Sequence, residues 1–277
     1  MKKLLGIVVF GLLLSGNVLA EKIKLKCQGL VGSVFDEHMY VNFDNKVIEV
    51  VQGSGGNKVN FKIAGKVLQE WDEFNTQLYT LVVQTQDEKI SKTFGYRSIG
   101  YNDGELMLNG HRIFLRGNLE CVIFPLTGRP PLQKEDWLSL YQKAKDYGLN
   151  HFRFHSWCPP EAAFAAADEI GMYLQVELPH WSLKVGEDEK TWQFLNSEAD
   201  KIIADYGHHP SFIFMSMGNE LEGDFGKLNE LVSTLKEKDF RHLYATTSFS
   251  FQTPIGTRPE PEDEFFVTQW TDKGWIR

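Results

Sequence analysis

From about Gly104 onward, short apolar runs alternate with amphipathic segments at helical spacing. "NGHRIFLRGN" reads as a turn and a strand, and "LNHFRFHS", "MYLQVEL", "SFIFMSM", "LYATTS" and "FFVTQW" read as strands. Between them, Lys134 to Tyr147, Glu161 to Ile170, Thr191 to Tyr206 and Leu228 to Phe240 carry a one-sided apolar pattern, and Gly148, Gly171 and Gly207 stop the first three. Repeated strand–helix–strand units imply parallel pairing, because each helix returns the chain to the same end of the sheet before the next strand begins.

The polar residues choose between a barrel and an open sheet. They gather just past the strand ends: Asn118 and Glu120, His155 and Trp157, Glu177, His180 and Trp181, Asn219 and Glu220, Gln269 and Trp270. A barrel puts one functional group after each strand around a shared mouth, whereas a doubly wound sheet uses only the strands at its switch point. The expected fold class is α/β, a (β/α)8-type TIM barrel over residues 100–277. Strands centred near Ile113, Phe152, Leu174, Phe212, Tyr244 and Phe266 make about six. The stretch is also shorter than the roughly 200 residues or more of a full barrel, so an incomplete, C-terminally truncated barrel is expected.

Residues 21–99 have a different texture. "KVIEVV", "KVNFKIAG", "LYTLVVQT" and "KISKTFGYRSI" are rich in β-branched and aromatic residues, and "GSGGN" (Gly53 to Asn57) reads as a hairpin turn. A small immunoglobulin-like β-sandwich, itself partial, is expected here. Residues 1–20 read as a signal peptide: Lys2 and Lys3 precede the apolar run Leu4 to Leu14, and Val18-Leu19-Ala20 suits cleavage before Glu21. Periplasmic or secreted localisation follows, with no membrane anchor. The formal net charge of −8 argues against nucleic-acid or anionic-membrane partners and leaves a neutral one. Cys27, Cys121 and Cys158 are odd in number and irregular in spacing, which gives neither a disulfide framework nor a zinc motif.

One stretch carries chemistry. "PSFIFMSMGNE" is an uncharged strand that ends in a glycine, an amide and a carboxylate. At a barrel mouth, Gly218 permits an unusual backbone or a close approach. Asn219 can bond a sugar hydroxyl, and Glu220 suits a general acid. The competing reading makes Glu220 a surface carboxylate opening the next loop.

"GHHPSFIFMSMGNE" resembles the acid/base motif of glycoside hydrolase family 2, the family of β-galactosidases, β-glucuronidases and β-mannosidases. "LYTLVV" with "KTFGYRSI" resembles the end of its immunoglobulin-like domain, "LMLNGHRIFLRGN" its first barrel strand, and "YGLNHFRFHSWCPPEAAFAAADEIGMYLQVELP" its second strand through its third. The resemblance runs from about Leu78 to Glu222. It implies a retaining glycosidase acting on a non-reducing-end sugar, with Glu220 as general acid/base and Asn219 on the sugar's 2-hydroxyl. It also implies substrate-site places for Arg153 and Glu177, and for Glu120 and His155 where "GNLECVIFP" and "FHSWCPP" depart from the usual spacing. Trp181 and Trp270, like Trp157, are candidates to stack on sugar faces. The family's nucleophilic glutamate ends strand seven, beyond the six counted, so a catalytically incomplete carbohydrate-binding remnant is the rival reading.

Other constellations are weaker. The run Glu260, Glu262, Asp263 and Glu264 is expected to be a solvated loop at the barrel's opposite end. His208 and His209 are expected to point apart, with no third metal ligand near in sequence. There is no GxSxG serine. The implied chemistry requires no cofactor.

Overall fold

In the computed structural model, side chains are described for residues 69–80 and 92–268, and outside these ranges the backbone of the strands alone. The first seven strands are β1 (Gly6–Phe10), β2 (Lys22–Gln28), β3 (Tyr40–Phe43), β4 (Lys46–Gln52), β5 (Lys58–Lys62), β6 (Tyr79–Gln84) and β7 (Lys89–Phe94). They pair antiparallel in the order β1-β2-β5-β4-β3-β6-β7. This is one sheet, not the two facing sheets expected of an immunoglobulin-like sandwich. β4 and β5 do pair as a hairpin, as "GSGGN" led us to expect, although the turn itself lies outside the described residues. β1 falls within the expected signal peptide.

Two Asx-Gly turns then build a three-stranded meander from β8 (Ile99–Asn102), β9 (Glu105–Leu108) and β10 (His111–Arg112). Asp103-Gly104 and Asn109-Gly110 all have positive φ, the conformation that two-residue hairpin turns demand. The Asn109-Gly110 turn moves the start of the barrel. The first barrel strand was expected near Ile113, but His111 and Arg112 pair back onto β9 instead. The parallel sheet starts at β11 (Gly117–Glu120). Gly117 is what lets β11 approach its neighbour, since a Cβ there would meet the His151 ring at 2.9 Å.

The parallel sheet continues through β12 (His151–Phe154), β13 (Tyr173–Glu177), β14 (Phe212–Ser216) and β15 (Leu243–Ala245) in sequential order. Its crossovers are α1 (Lys134–Asp146), α2 (Glu161–Ile170), α3 (Glu189–Tyr206) and α4 (Phe225–Lys238). Asp188 and Asp224 cap α3 and α4 by accepting from the amides of Thr191 and Lys227. All four helices bury their apolar faces in one cluster with Phe152, Phe154, Leu174, Val176, Phe212 and Met215. The opposite face carries Tyr173, Ile213, Phe214 and Leu243, plugged by Trp71 and Leu108. β13 and β14 are therefore buried on both faces, which explains why "SFIFMSM" has no charge. Sequential order with every helix on one side is barrel winding, not the reversal of a doubly wound sheet.

Five parallel strands are described where six were expected, and the barrel is not closed. "FFVTQW" contributes a single bridge, Ser248 to Val267, while Trp270–Thr271 forms a small hairpin with Gly274–Trp275. What runs beside β15 is the acidic segment. Glu264 donates its amide to the Tyr244 carbonyl (2.8 Å), and its carboxylate accepts from the Tyr244 amide (3.0 Å). The Asp263 carboxylate accepts from the Thr246 amide at 2.6 Å. The expected solvated loop is thus docked, because β15 exposes amides that carboxylates can satisfy.

The connection from β7 to β8 is anchored to the barrel by Arg97, whose guanidinium donates to the carbonyls of Pro210 (2.8 Å), Arg241 and Phe212 (2.5 Å each). The Trp71 indole adds a bond to the Asp168 carbonyl at 2.8 Å.

Candidate active site

The alternation of β-strands decides which residues meet at the mouth. On β12 and β13, Phe152, Phe154, Leu174 and Val176 face the helices, so Arg153, Gln175 and Glu177 face the other way. There a cavity of about 660 Å³ opens, lined by His151, Arg153, Gln175, Phe214 and Val267 among others. Arg153 is the hub. Its Nε donates to Glu177 Oε1 at 2.6 Å, and its Nη2 donates to the Asn219 side-chain oxygen. Glu177 is fully buried, and its other oxygen accepts from the Ser156 amide at 2.7 Å. The carboxylate is thus paired and hydrogen-bonded, the condition under which burial of charge is tolerated.

A polar layer lies beneath. Gln175 Nε2 reaches the Ser248 hydroxyl at 2.7 Å, and Ser216 and Ser248 share a hydroxyl bond at 2.7 Å. Ser248 belongs to an uncharged stretch, Thr246 to Ser250, that is buried throughout. Gln175, Ser216 and Ser248 were not singled out from sequence, whereas His180 was named among the polar residues past the strand ends. A buried run of Ser and Thr straight after a strand was the available signal.

The segment Gly218–Glu220 is stitched on both sides by backbone. Gly218 accepts from the Ser248 amide (2.8 Å), Asn219 donates to the His180 carbonyl (3.0 Å) and Glu220 donates to the Ser248 carbonyl (3.2 Å). Glu220 has a φ of +50°, a conformation disfavoured for a side-chain-bearing residue and tolerated where neighbours hold it. It is half-buried, next to Asn219, whose side-chain nitrogen is enclosed and has no protein partner. His180 is also enclosed, and burial pushes its imidazole below the usual range, against a backbone bond to Met217. The site can therefore present a carboxylate on a fixed backbone, beside an amide and an Arg–Glu pair, and of these groups only Arg153 lines the cavity.

The other expected residues divide. The His155 and Trp181 rings meet edge to face at 5.2 Å, and Trp181 is exposed. Glu120 does not join the arginine network. Its carboxylate turns back to accept from the amides of Val122 and Ile123, holding a loop in which Val122 has positive φ. Trp157 packs against Phe124 and Phe154. The Trp270 side chain lies outside the described residues. No helix among the described residues is long and apolar enough to cross a membrane.

No family model matches the chain. Curated relatives include a Formosa agariphila protein named provisionally as a β-glucuronidase, 27% identical over 182 residues (60% of this chain, 22% of the relative). The β-galactosidase large subunit of Latilactobacillus sakei is 24% identical over 221 residues (72% and 35%). Similar solved structures include an FMN-binding β-glucuronidase of Facaelibacterium prausnitzii L2-6, at TM-score 0.75 and 21% identity over 94% of this chain and 42% of that one. A family 2 β-galacturonidase of Eisenbergiella tayi, at TM-score 0.70 and 19% identity, covers 89% and 46%. The chain thus spans less than half the length of each of these proteins, from 22% to 46%. Its sequence relatives are glycosidases, and its barrel winding is that of glycoside hydrolase family 2 structures, the family its motifs resemble.

Proposed function

We propose that the chain carries the acid/base side of a retaining glycosidase site acting on a non-reducing-end sugar. Glu220 protonates the glycosidic oxygen as the bond breaks and later deprotonates water, while Asn219 bonds the sugar's 2-hydroxyl. The observation that carries this reading is the fixed Gly218–Glu220 backbone at the end of β14, with Asn219 bonded to the Arg153–Glu177 pair. Positioned groups of this kind supply much of an enzyme's rate through preorganisation. His155 and Trp181 form a rim against which a sugar face can rest. The names of the sequence relatives make β-galactosides and β-glucuronides the first substrates to try.

A second reading has its own observation. Retention needs a second carboxylate roughly 5–5.5 Å from the first. The family supplies it from a seventh strand, and five parallel strands are described here. On that reading the chain binds carbohydrate without turnover. A panel of nitrophenyl glycosides, run with the chain and with Glu220→Gln, separates the two. Turnover that disappears in the variant supports the glycosidase. Sugar binding with no turnover in either supports the remnant. The basic–apolar–small pattern of residues 1–20 supports export to the periplasm or beyond, tested by locating Glu21 as the mature N-terminus by mass spectrometry.

A further inference from the structure

At the far end of β14 from Glu220, a second polar cluster is built around adjacent histidines. His209 lies flat on α2, its ring stacked on Phe164 with centroids 5.2 Å apart and planes 24° apart. Its Nδ1 meets Asp168 Oδ2 at 2.6 Å and its Nε2 meets Glu161 Oε1 at 3.1 Å, so the imidazole bridges two carboxylates seven residues apart on one helix face. His208 does not point away. Its ring centroid stands 4.1 Å from that of His209. One donor atom each from Glu161, His208 and His209 lies within 4.8 Å of the others. The third ligand that sequence spacing did not offer is delivered by α2.

We propose that Glu161, His208 and His209 form a site for a divalent transition-metal cation, zinc(II) by its donor set, that clips the start of α2 to the loop entering β14. Two imidazoles and a carboxylate are donors that zinc accepts, with a fourth position left for water. Tetrahedral bonds of about 2.0–2.2 Å place ligand atoms about 3.4 Å apart, so the Glu161–His209 pair at 3.1 Å is nearly in position. The half-buried His208 need move only modestly to complete the set.

The outer shell is already in place. Metal-bound histidines characteristically give their second N–H to a carboxylate, which fixes tautomer and ring orientation. Asp168 does this for His209, and is itself held by the Ser211 amide at 3.1 Å. The charges balance as well: Asp168 and Glu161 supply two negative charges to a divalent cation seated where His209 now meets Glu161. Besides His209, the cations whose fields reach His208 are Lys92 of β7 and Arg241, and Arg241 is paired with Asp239. The site is remote from Glu220, so its role is stability, not turnover.

The test uses the intact chain, freed of metal by chelation and titrated with zinc chloride. Equilibrium dialysis with metal analysis gives stoichiometry, and thermal melting with and without zinc gives the linked stabilisation. We expect one zinc per chain and a melting temperature that rises with zinc. Affinity should fall roughly tenfold or more in His208→Ala and in Glu161→Gln. Both residues reach the surface, so these variants fold, whereas His209→Ala removes the partner of two carboxylates on α2; circular dichroism checks the fold of each. Absence of stoichiometric zinc binding overturns the proposal. So does binding that survives unchanged in both variants, which places the ion elsewhere.

Discussion

A Cβ on Gly218 would stand 2.2 Å from the carbonyl oxygen of His180, and that same oxygen accepts the Asn219 amide bond at 3.0 Å. The glycine is therefore a condition of the bond: the acceptor that fixes Asn219 occupies the space a side chain would take. Gly218 also has a φ of +146°, which L side chains rarely adopt. Gly218→Ala must push the two segments apart, at about 1–3 kcal/mol of strain, and swing Glu220 out of place. We expect a lower urea midpoint and, on a substrate found in the glycoside panel, a kcat loss of about 100-fold or more. Gly100→Ala, where an added Cβ meets nothing within 4 Å, is the control and leaves both unchanged.

Arg153 and Glu177 form a pair in which the glutamate side chain is fully buried and the arginine side chain only 18% exposed. Removing the arginine alone strands a charge in a low-dielectric site, and breaking buried pairs costs about 3–5 kcal/mol. Arg153→Met should therefore be far more destabilising than the double variant Arg153→Met/Glu177→Gln, which removes both charges. Urea unfolding of wild type, both single variants and the double variant gives the coupling directly. Equal loss in the Arg153 single and the double variant would show that the pair is not coupled in this way.

The fold was legible where local pattern dictates structure. The helices begin and end within a few residues of their expected limits, and "SFIFMSM" is a strand buried on both faces, as an uncharged run between polar ends implies. Sequence failed where tertiary partners decide. Asn109-Gly110 directs His111 and Arg112 into an antiparallel hairpin, although the apolar residues after them read equally well as a barrel strand. Glu120 has the residue type and place of a ligand-binding group, but its own loop captures the carboxylate. His208 and His209 are adjacent in sequence, and nothing there reveals that Glu161, 47 positions earlier, reaches across to them. The acidic run reads as solvated because charge patterns carry no record of the unpaired amides that await them.

Those amides give the next prediction. Unpaired strand edges invite association. Asp263 and Glu264 instead occupy the Thr246 and Tyr244 amides. Asp263→Ala and Glu264→Ala each uncover an edge donor, at about 1–2 kcal/mol. Asp263→Ala also removes the acceptor for the Glu260 amide at 2.8 Å. We expect both variants to form larger species than wild type in size-exclusion chromatography with light scattering, most of all the double variant. An unchanged elution profile would show that these carboxylates do not protect the edge.

Acid titration should separate two kinds of carboxylate. Burial alone would raise Asp239, but His242 (Nδ1 at 3.4 Å) and Arg241 (Nη2 at 2.5 Å) outweigh it and hold the group well below the usual range. A depressed folded value contributes stability above the unfolded value of about 3.9, and that stability is lost as pH falls below it. Asp263 is shifted the other way, raised by burial against its hydrogen bonds to Thr246 and Glu260. Its contribution is fully present below about pH 4 and is lost as pH rises through the raised value. Asp239→Asn should thus cost about 3 kcal/mol at pH 7, where it strands Arg241, with the deficit shrinking below about pH 4. Asp263→Asn should behave in the opposite sense, standing better relative to wild type at pH 7 than at pH 4. Urea unfolding of the three proteins between pH 3 and pH 7 checks both signs. A deficit in Asp239→Asn that grows on acidification would show that the Arg241 charge does not hold this carboxylate ionised.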